Sequence, residues 1–441
     1  MKEKTLLRDF FQYVTFNICG MLGLSCYILA DTFFISKGLG AAGLTALNLA
    51  IPIYSFVHGS GLMLGMGGAT RYSIYKGQKK YQKADAAFSN TIYLLSAGAV
   101  VFMLAGIFFP GNLAVFLGAD KAVFDMTKTY LQVILLFAPA FMANDAVICF
   151  IRNDGAPKLS MLAMLAGSFS NIILDYIFIF PLHMGIFGAV LATGLAPVIS
   201  LAVLSKHCLT KQNQFHFLRI PPSLPQAGNI LSLGLPSFIT EMASGIVIIA
   251  FNAIILRLQG NIGVAAYGVI ANLSLVVISI YTGIAQGTQP MLSRAYGHGD
   301  WESQKRILRY AVITVLAISC IVYAAFLLAA NPMVSVFNSE QKIELQQIAV
   351  TGLKLYFTAI PFAGFNIILS AYFAAIEKPL PAQLISLSRG FAVILPMAFL
   401  MSALLEMTGV WLSFPLTECL VAFAAFALYI ATIHTHDSQH T

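Results

Sequence analysis

Acidic side chains interrupt several long apolar stretches of this sequence, and each is a candidate for chemistry inside a membrane. The five clear cases are Asp31, Asp145, Asp175, Glu241 and Glu418. A charged side chain near the bilayer centre costs about 2.5 to 3.5 kcal/mol on insertion scales. A residue kept at that cost is expected to bind an ion or a ligand, or to be paired with another buried group.

Four oxygen-bearing residues of the N-terminal half are predicted to lie at one depth in the membrane. Asp31 and Asp175 lie 17 and 16 residues into outward-running spans, and Thr193 lies 5 residues into an inward-running span. Asn171 precedes Asp175 by one helical turn and shares its face. Such a set suits proton exchange or a small monovalent cation such as sodium. The alternative is that Asp31 caps a helix at the headgroups, and that Asn171 and Asp175 only join helices.

Glu241 is the candidate residue for cargo in the C-terminal half. It lies about 11 residues into its span and five after Pro236, in the segment LGLPSFITEMASG. The proline favours a kink, and the small residues around it leave room for close helix approach or a cavity. We expect Glu241 to bind a cationic amphiphile or a proton, with a structural hydrogen bond as the alternative.

Three amides are predicted to contact the cargo together with Glu241. They are Gln286 and Gln289, in GIAQGTQPMLSRAYGHGD, and Asn366. Asp145 follows Asn144, and the sequence leaves open whether it pairs within the helix bundle or takes part in transport. Glu418 has no evident partner.

Membrane-spanning helices must position these residues. The 441 residues are 59% hydrophobic and 10% charged, with a mean hydropathy of +0.82, whereas soluble domains are about 25% charged. Apolar runs of about 18 to 25 residues recur along the chain, and each is long enough to cross a bilayer. The sequence predicts an all-α polytopic membrane protein with twelve spans, at 14–35, 44–70, 88–109, 128–151, 159–180, 188–205, 230–256, 264–291, 307–330, 355–376, 383–405 and 411–433.

The distribution of basic residues predicts that both termini are cytoplasmic. This orientation places 19 of the 25 Lys and Arg residues inside and 6 outside, as the positive-inside rule requires. The formal net charge of +7 then reflects topology, so no nucleic-acid partner is predicted. The six cysteines show no metal-ligand spacing, and we interpret them as packing residues.

The two halves of the chain are predicted to be parallel repeats. A shift of 222 residues superposes several glycines and prolines at equivalent points of the hydropathy pattern, among them Pro139 with Pro361 and Pro157 with Pro379. Six spans per half give both halves the same orientation, which is typical of transporters with two rocking bundles. We predict an N-lobe at 1–205, a cytoplasmic linker at 206–229 and a C-lobe at 230–441, with the lobes related by pseudo-two-fold symmetry.

Enzyme motifs are absent from the sequence. It contains no HExxH, GxSxG or GxxxxGK[ST] pattern, so neither a hydrolase site nor ATP-driven transport within this chain is predicted. A receptor or scaffold remains as an alternative, although such a protein would not require buried carboxylates in both halves.

Several segments, in this order and spacing, resemble the multidrug and toxic compound extrusion (MATE) transporters. They are ADTFFISKGLGAAGLTALNLAIP, RNDGAPK, NIILDYIFIFPLHMGIFGAVLAT, LGLPSFITE, GIAQGTQPMLSRAYG and GVWLSFPLTE. The resemblance implies two six-helix lobes around a central cavity. It also implies export of organic cations or other drugs from a bacterial plasma membrane, driven by proton or sodium entry, by a monomer without a cofactor.

Position by position, the resemblance identifies Asp31, Asn171, Asp175 and Thr193 with the family's N-lobe cation site, and Glu241 with its C-lobe acid. Two departures are present. Asn366 stands where some sodium-coupled members have an aspartate, and 14–19 reads VTFNIC where many members have a proline. A lipid-linked precursor flippase of the same superfamily is a further alternative. A flippase would need several basic residues in its cavity for pyrophosphate, and arginine and lysine are nearly absent from the predicted spans.

Overall fold

The computed structural model describes residues 3–338 and 341–440, and all regular secondary structure within these ranges is helical. The predicted lobes also include residues 1, 2 and 441, which lie outside the described ranges. A short 3-10 helix at Phe357–Ala359 and a π-helical segment at Ser388–Ala392 join neighbouring α-helices. The α-helices are α1 Glu3–Gly77, α2 Tyr81–Phe108, α3 Pro110–Phe116, α4 Phe124–Leu136, α5 Ala138–Asn153, α6 Pro157–Ile179, α7 Gly185–Leu209, α8 Leu224–Gly297, α9 Trp301–Phe337, α10 Ile343–Tyr356, α11 Ile360–Ala375, α12 Pro379–Leu387 and α13 Ile394–His440.

Three of the longest helices are divided by a residue with positive φ, at Gly40 (66°), Gly260 (60°) and Glu406 (50°). This left-handed conformation costs a glycine little, which explains two of the three residues. The hydroxyl oxygens of Tyr27 and Tyr54 show that α1 reverses, because they lie 2.9 Å apart where a straight helix would separate them by about 40 Å. Each divided helix therefore supplies two arms.

The arms account for the number of membrane spans. When α10 with α11 and α12 with α13 are each counted as one continuous helix, eight helices of the described ranges are long and apolar enough to cross a membrane. The number is nine if α4 and α5, bent by 48° at their junction, form one span. Division of α1, α8 and α13 raises this number to twelve, in agreement with the sequence prediction. The bend coincides with Phe137, which lies between the two helices and directly before a helix with proline in its first turn.

The internal repeat is present, but its register changes along the chain. Helices α5 and α11 have starts and ends that are both 222 residues apart, whereas α2 and α9 begin at Tyr81 and Trp301, 220 residues apart. The difference arises where the three residues Phe357–Ala359 replace the single residue Phe137. The predicted shift of 222 is therefore wrong by two residues for the first spans of each lobe.

The linker between the lobes is shorter than predicted. Because α7 continues to Leu209 and α8 begins at Leu224, only 210–223 lie outside the helices, against the predicted 206–229. The linker packs on the N-lobe, where the backbone nitrogen of Leu218 donates to Ser89 Oγ at 2.8 Å. We call this end of the molecule the linker end.

Helices α1 and α8 form most of the contact between the lobes. Close approach is possible because glycines face backbone: a Cβ at Gly67 would clash with the carbonyl oxygen of Ile230, and one at Gly234 with that of Met63. Ser25 Oγ donates to Ser279 Oγ at 2.6 Å. Each lobe has a large apolar core, and the first parts of α1 and α8 pack into the core of the other lobe through Leu6, Phe10 and Val14 and through Ile230.

Candidate functional site

The four residues of the predicted cation site come together in the N-lobe. Asp31, on the first arm of α1, is 6% exposed, and Asp175, on α6, is fully buried. The two carboxyl groups are in hydrogen-bonding contact, and the Oδ1 atom of each accepts no hydrogen bond from a described donor. Two carboxylates in contact require a proton or a cation between them, because like charges repel strongly in a buried site of low dielectric constant.

Asn171, Thr193 and Tyr130 complete this site. The surroundings favour the amide orientation in which Asn171 donates to Asp175 Oδ2 at 3.1 Å and accepts from the backbone nitrogen of Thr193 at 3.3 Å. The Tyr130 hydroxyl, on α4, hydrogen-bonds to the Thr193 side chain. Sequence reasoning missed Tyr130, because a tyrosine in a span is more often a packing residue.

A cavity lies between the lobes, next to the cation site. Thr193 contributes to its wall, so the cation site and the cavity adjoin. Glu241 and Gln286 of α8 line this cavity and a second one that extends into the C-lobe. The Glu241 carboxylate makes no hydrogen bond or ion pair with any described residue. It is therefore an unpaired acid on the wall of the cavity, as predicted for a residue that binds cationic cargo.

A histidine and an aspartate form a pair on the N-lobe side of the cavity. His58 Nδ1 lies 2.9 Å from Asp145 Oδ2, and both residues line the cavity. Gly61 makes room for the carboxylate, since a Cβ there would lie 2.7 Å from Asp145 Oδ2. The structure thus shows that Asp145 both has a partner and faces the cavity. Sequence reasoning missed His58, although an ionisable group within the span 44–70 was a signal.

Aromatic side chains connect the cation site with this pair. Tyr27 lies one helical turn before Asp31, and its hydroxyl contacts that of Tyr54 at 2.9 Å. The Tyr54 ring stacks on His58 with 5.8 Å between centroids. Continuous contacts therefore run from the cation site to the cavity wall.

Gln289 lies away from the cavity, contrary to its predicted role in cargo contact. It is fully buried and joins the lobes: its Nε2 donates to Thr70 Oγ1 at 2.9 Å, and its Oε1 accepts from Asn153 Nδ2 at 3.0 Å. Arg71 and Glu377 form a further ion pair between the lobes. A buried amide must satisfy several donors and acceptors, and here the facing lobe supplies them.

Asn366, also predicted to contact cargo, is buried inside the C-lobe. Its Nδ2 donates to the Glu418 carboxylate at 2.7 Å and to the Glu418 backbone carbonyl at 2.9 Å. Arg389 binds the same carboxylate through Nε and Nη2 at 2.8 to 3.0 Å. Glu418 therefore has two partners that the sequence did not reveal. The arginine expected on the cytoplasmic side is a largely buried residue of the π-helical segment, with a side chain that is 12% exposed and lines the second cavity.

Asp154 lies at the linker end, just beyond α5, and is the centre of a hydrogen-bonded cluster that we call the hub. The Asp154 carboxylate accepts from Tyr72 at 2.6 Å, Lys76 at 2.7 Å and the backbone of Gln214 at 2.8 Å, and contacts His207 at 2.9 Å. Burial by itself raises the pKa of Asp154, but the hydrogen bonds from Lys76, Tyr72 and His207 outweigh it and hold that pKa below its usual range. The hub fixes the end of α5 and the start of the linker.

The fold and the site together define a class of protein. Two helical lobes in one membrane-spanning chain enclose a cavity with unpaired ionisable groups, and this is the architecture of a secondary transporter. Within the described ranges, no group of three or more His, Cys, Asp or Glu side chains has a geometry suited to a bound metal ion.

Comparison with known proteins identifies the family. The MatE family model matches residues 18–177 and 236–400, and the chain belongs to this family. Multidrug export protein MepA of Staphylococcus saprophyticus is 26% identical over 404 residues, which covers 91% of this chain and 88% of the relative. MepA of Staphylococcus aureus gives the same identity and coverage.

Solved structures show the same fold. An outward-facing multidrug resistance MATE family transporter of the MOP superfamily superposes with a TM-score of 0.92 at 22% identity, covering 99% of both chains. The Vibrio cholerae MATE transporter VcmN superposes with a TM-score of 0.90 at 21% identity, covering 98% of both. A MOP superfamily transporter from Pyrococcus furiosus, whose reverse pocket polarity suggested a different function, gives 0.88 at 23% identity and 98% of both.

Proposed function

We propose that this protein is a secondary active exporter of cationic amphiphilic drugs, driven by entry of protons or sodium ions into the cell. The observation that carries the proposal is the buried pair Asp31 and Asp175, beside a cavity whose other wall bears the unpaired Glu241. The two staphylococcal relatives are named multidrug export proteins, which supports the same assignment. The protein acts as a transporter and not as an enzyme.

Glu241 provides the attraction for the cargo. An unpaired carboxylate in a largely apolar cavity favours a positively charged group. The aromatic rings of Tyr27 and Tyr54, which also line the cavity, add cation-π contacts. The apolar remainder of the lining suits the hydrophobic body of an amphiphile.

A proton fits the cation site in the conformation described. Direct contact of the Asp31 and Asp175 carboxyl groups is the geometry of a shared proton. Sodium would have to separate the two carboxylates and take further oxygens from Thr193 and Asn171. Both ions use the same residues, so the choice between them is left to the experiment below.

Alternating access follows from the distribution of contacts between the lobes. Among the residues described, the hydrogen bonds between helices of the two lobes lie in the half of the membrane nearer the linker end. The bond farthest from that end joins Ser25 and Ser279, at mid-membrane. With the linker in the cytoplasm, as the basic residues predict, this arrangement is closed to the inside. Exchange requires that the coupling ion bind the inward-closed and outward-closed states with different affinities. One chain supplies both lobes, so the monomer is the proposed unit.

The flippase alternative remains weak, although two guanidinium groups do lie at the cavities. Arg389 is neutralised by Glu418, which leaves Arg152 as the unpaired guanidinium among the described lining residues. A pyrophosphate carries more charge than one arginine neutralises.

Proteoliposomes test the proposal. Purified protein is reconstituted with ethidium inside, and a pH gradient or a sodium gradient is imposed separately. One gradient should drive ethidium export, Asp175→Asn should abolish it, and Asp125→Asn, at an exposed aspartate on α4, should not. Ethidium movement that ignores both gradients would refute the antiporter and favour a receptor, a scaffold or a passive pore.

A further inference from the structure

Arg152 is a buried arginine without a counter-ion. It is the penultimate residue of α5, is fully buried and contributes to the cavity wall. Its Nη1 donates to Asn17 Oδ1 at 2.7 Å and to Gln286 Oε1 at 2.6 Å. Both acceptors are neutral amides, and no carboxylate among the described residues lies within ion-pair distance. A buried charge is normally paired, because its removal from water carries a desolvation cost that a partner must offset.

One edge of the Arg152 guanidinium lacks an oxygen acceptor. Nε has no hydrogen-bond partner, and Nη2 contacts only the sulfur atoms of Met66 at 3.5 Å and Cys149 at 3.4 Å. Sulfur is a weak acceptor. Nε and Nη2 together form the edge through which arginine binds a carboxylate in a bidentate manner.

Arg389 shows how this protein treats a buried arginine that has a purely structural partner. Its Nε and Nη2 both bind the Glu418 carboxylate, at 2.8 to 3.0 Å. In Arg152 the same two nitrogens have no such group. The contrast indicates that a carboxylate from outside the chain is the missing partner.

The cavity also contains an acid at a suitable distance. Asp145 lies seven residues before Arg152 on α5, which is two helical turns and about 10 Å along one face, and both residues line the same cavity. Ser200, another lining residue, has a buried hydroxyl without a partner. The cavity therefore has acidic residues on its wall, of which Glu241 is unpaired, and an anion-binding edge at Arg152.

We propose that Arg152 forms an anion subsite, which binds the carboxylate of a zwitterionic amphiphile whose cationic group lies at Glu241. The carboxylate takes the edge formed by Nε and Nη2, while Nη1 keeps its bonds to Asn17 and Gln286. Met66 gives way because its side chain is flexible. This inference rests on the proposed function and deepens it, since it assigns a residue of the same cavity to the anionic group of the cargo.

A matched pair of dyes tests the subsite. Rhodamine 6G is an ethyl ester with one positive charge, and its hydrolysis gives a free acid that has the same xanthene cation and an added carboxylate. Binding of each dye to the full-length protein in nanodiscs is measured by fluorescence polarisation. Arg152→Gln should weaken the acid about tenfold or more, as the loss of a charge-assisted bidentate contact implies, and should change the ester less than about twofold.

Two further variants keep the test decisive. Cys149→Asp supplies an internal carboxylate next to Nη2 of Arg152. It should lower the affinity for the acid relative to the ester, and it tests the subsite even if the Arg152→Gln variant does not fold. Ser25→Ala breaks another hydrogen bond between the lobes and should leave the ratio of the two affinities unchanged.

The outcomes separate the subsite from the proposed function. Equal weakening of both dyes by Arg152→Gln would overturn the subsite and leave Arg152 as a link between the lobes. Failure of the wild-type protein to bind either dye would count against the proposed function itself. Tight binding of the ester with no binding of the acid would overturn only the subsite.

Discussion

The buried cluster of Glu418, Arg389 and Asn366 allows a quantitative prediction about stability. Arg389 makes three hydrogen bonds to the Glu418 carboxylate at 2.8 to 3.0 Å, and Asn366 makes one at 2.7 Å. Glu418 is 1% exposed. Removal of one member of a buried ion pair leaves the other charge uncompensated, which costs about 3 to 5 kcal/mol.

Methionine substitutions separate the charge effect from packing, because methionine nearly matches glutamate in volume. Glu418→Met and Arg389→Met should each lower the free energy of unfolding by about 3 to 5 kcal/mol. The double variant should lose less than either single variant, since two apolar side chains replace the pair and no charge remains unpaired. Glu302→Met, at an exposed position on α9, is the control and should change the free energy by about 0.5 kcal/mol or less.

Urea unfolding in micelles, followed by tryptophan fluorescence, measures these values. Trp411 is 1% exposed and lies two helical turns before Glu418 on the same arm of α13, so it reports on this part of the C-lobe. Losses below about 1 kcal/mol for both single variants, or a double variant equal to the sum of the singles, would show that the pair is not a tightly coupled buried unit.

Three further perturbations follow from the site. Glu241→Gln should weaken ethidium binding about tenfold or more while the protein stays folded, as measured by equilibrium dialysis and thermal denaturation; unchanged affinity would place the cargo elsewhere. Gln289→Leu removes hydrogen bonds between the lobes to Thr70 and Asn153 and should raise modification of an engineered cysteine at the linker end; unchanged labelling would show that these bonds do not hold that end closed. Asp154→Asn should destabilise the protein more at pH 7 than near pH 3. The hub depresses the folded-state pKa of Asp154, so its contribution is present above the unfolded-state pKa of about 3.9 and is lost as pH falls through the folded-state value; equal destabilisation at both pH values in circular dichroism melts would contradict this.

Membrane depth could be predicted from the sequence, because helical rise is nearly constant. Asp31, Asp175 and Thr193 were grouped by counting residues from the ends of their spans, and the structure brings these three together with Asn171. The twelve spans follow from the same regularity. The two-residue change in repeat register could not be predicted, since a short 3-10 helix leaves no mark on the hydropathy pattern.

Lateral neighbours could not be predicted, because they depend on how each helix is rotated about its axis. Glu418 and Arg389 lie 29 residues apart, and nothing in either segment indicates that the two face each other. For the same reason, the amides Gln289 and Asn366 were assigned to the cargo when their partners are other protein groups. The position of His58 within a span is evident from the sequence, but its pairing with Asp145 also depends on helix rotation.

Competition between cargo and the coupling ion tests the central claim most directly. The affinity of the wild-type protein for rhodamine 6G is measured across pH at fixed sodium concentration and then across sodium concentration at fixed pH. The account predicts weaker binding as one of the two ions increases, by up to about tenfold per pH unit if one proton competes strictly, with Asp175→Asn insensitive to both ions. An affinity that is independent of both ions in the wild-type protein, or equal dependence in Asp175→Asn, would contradict it.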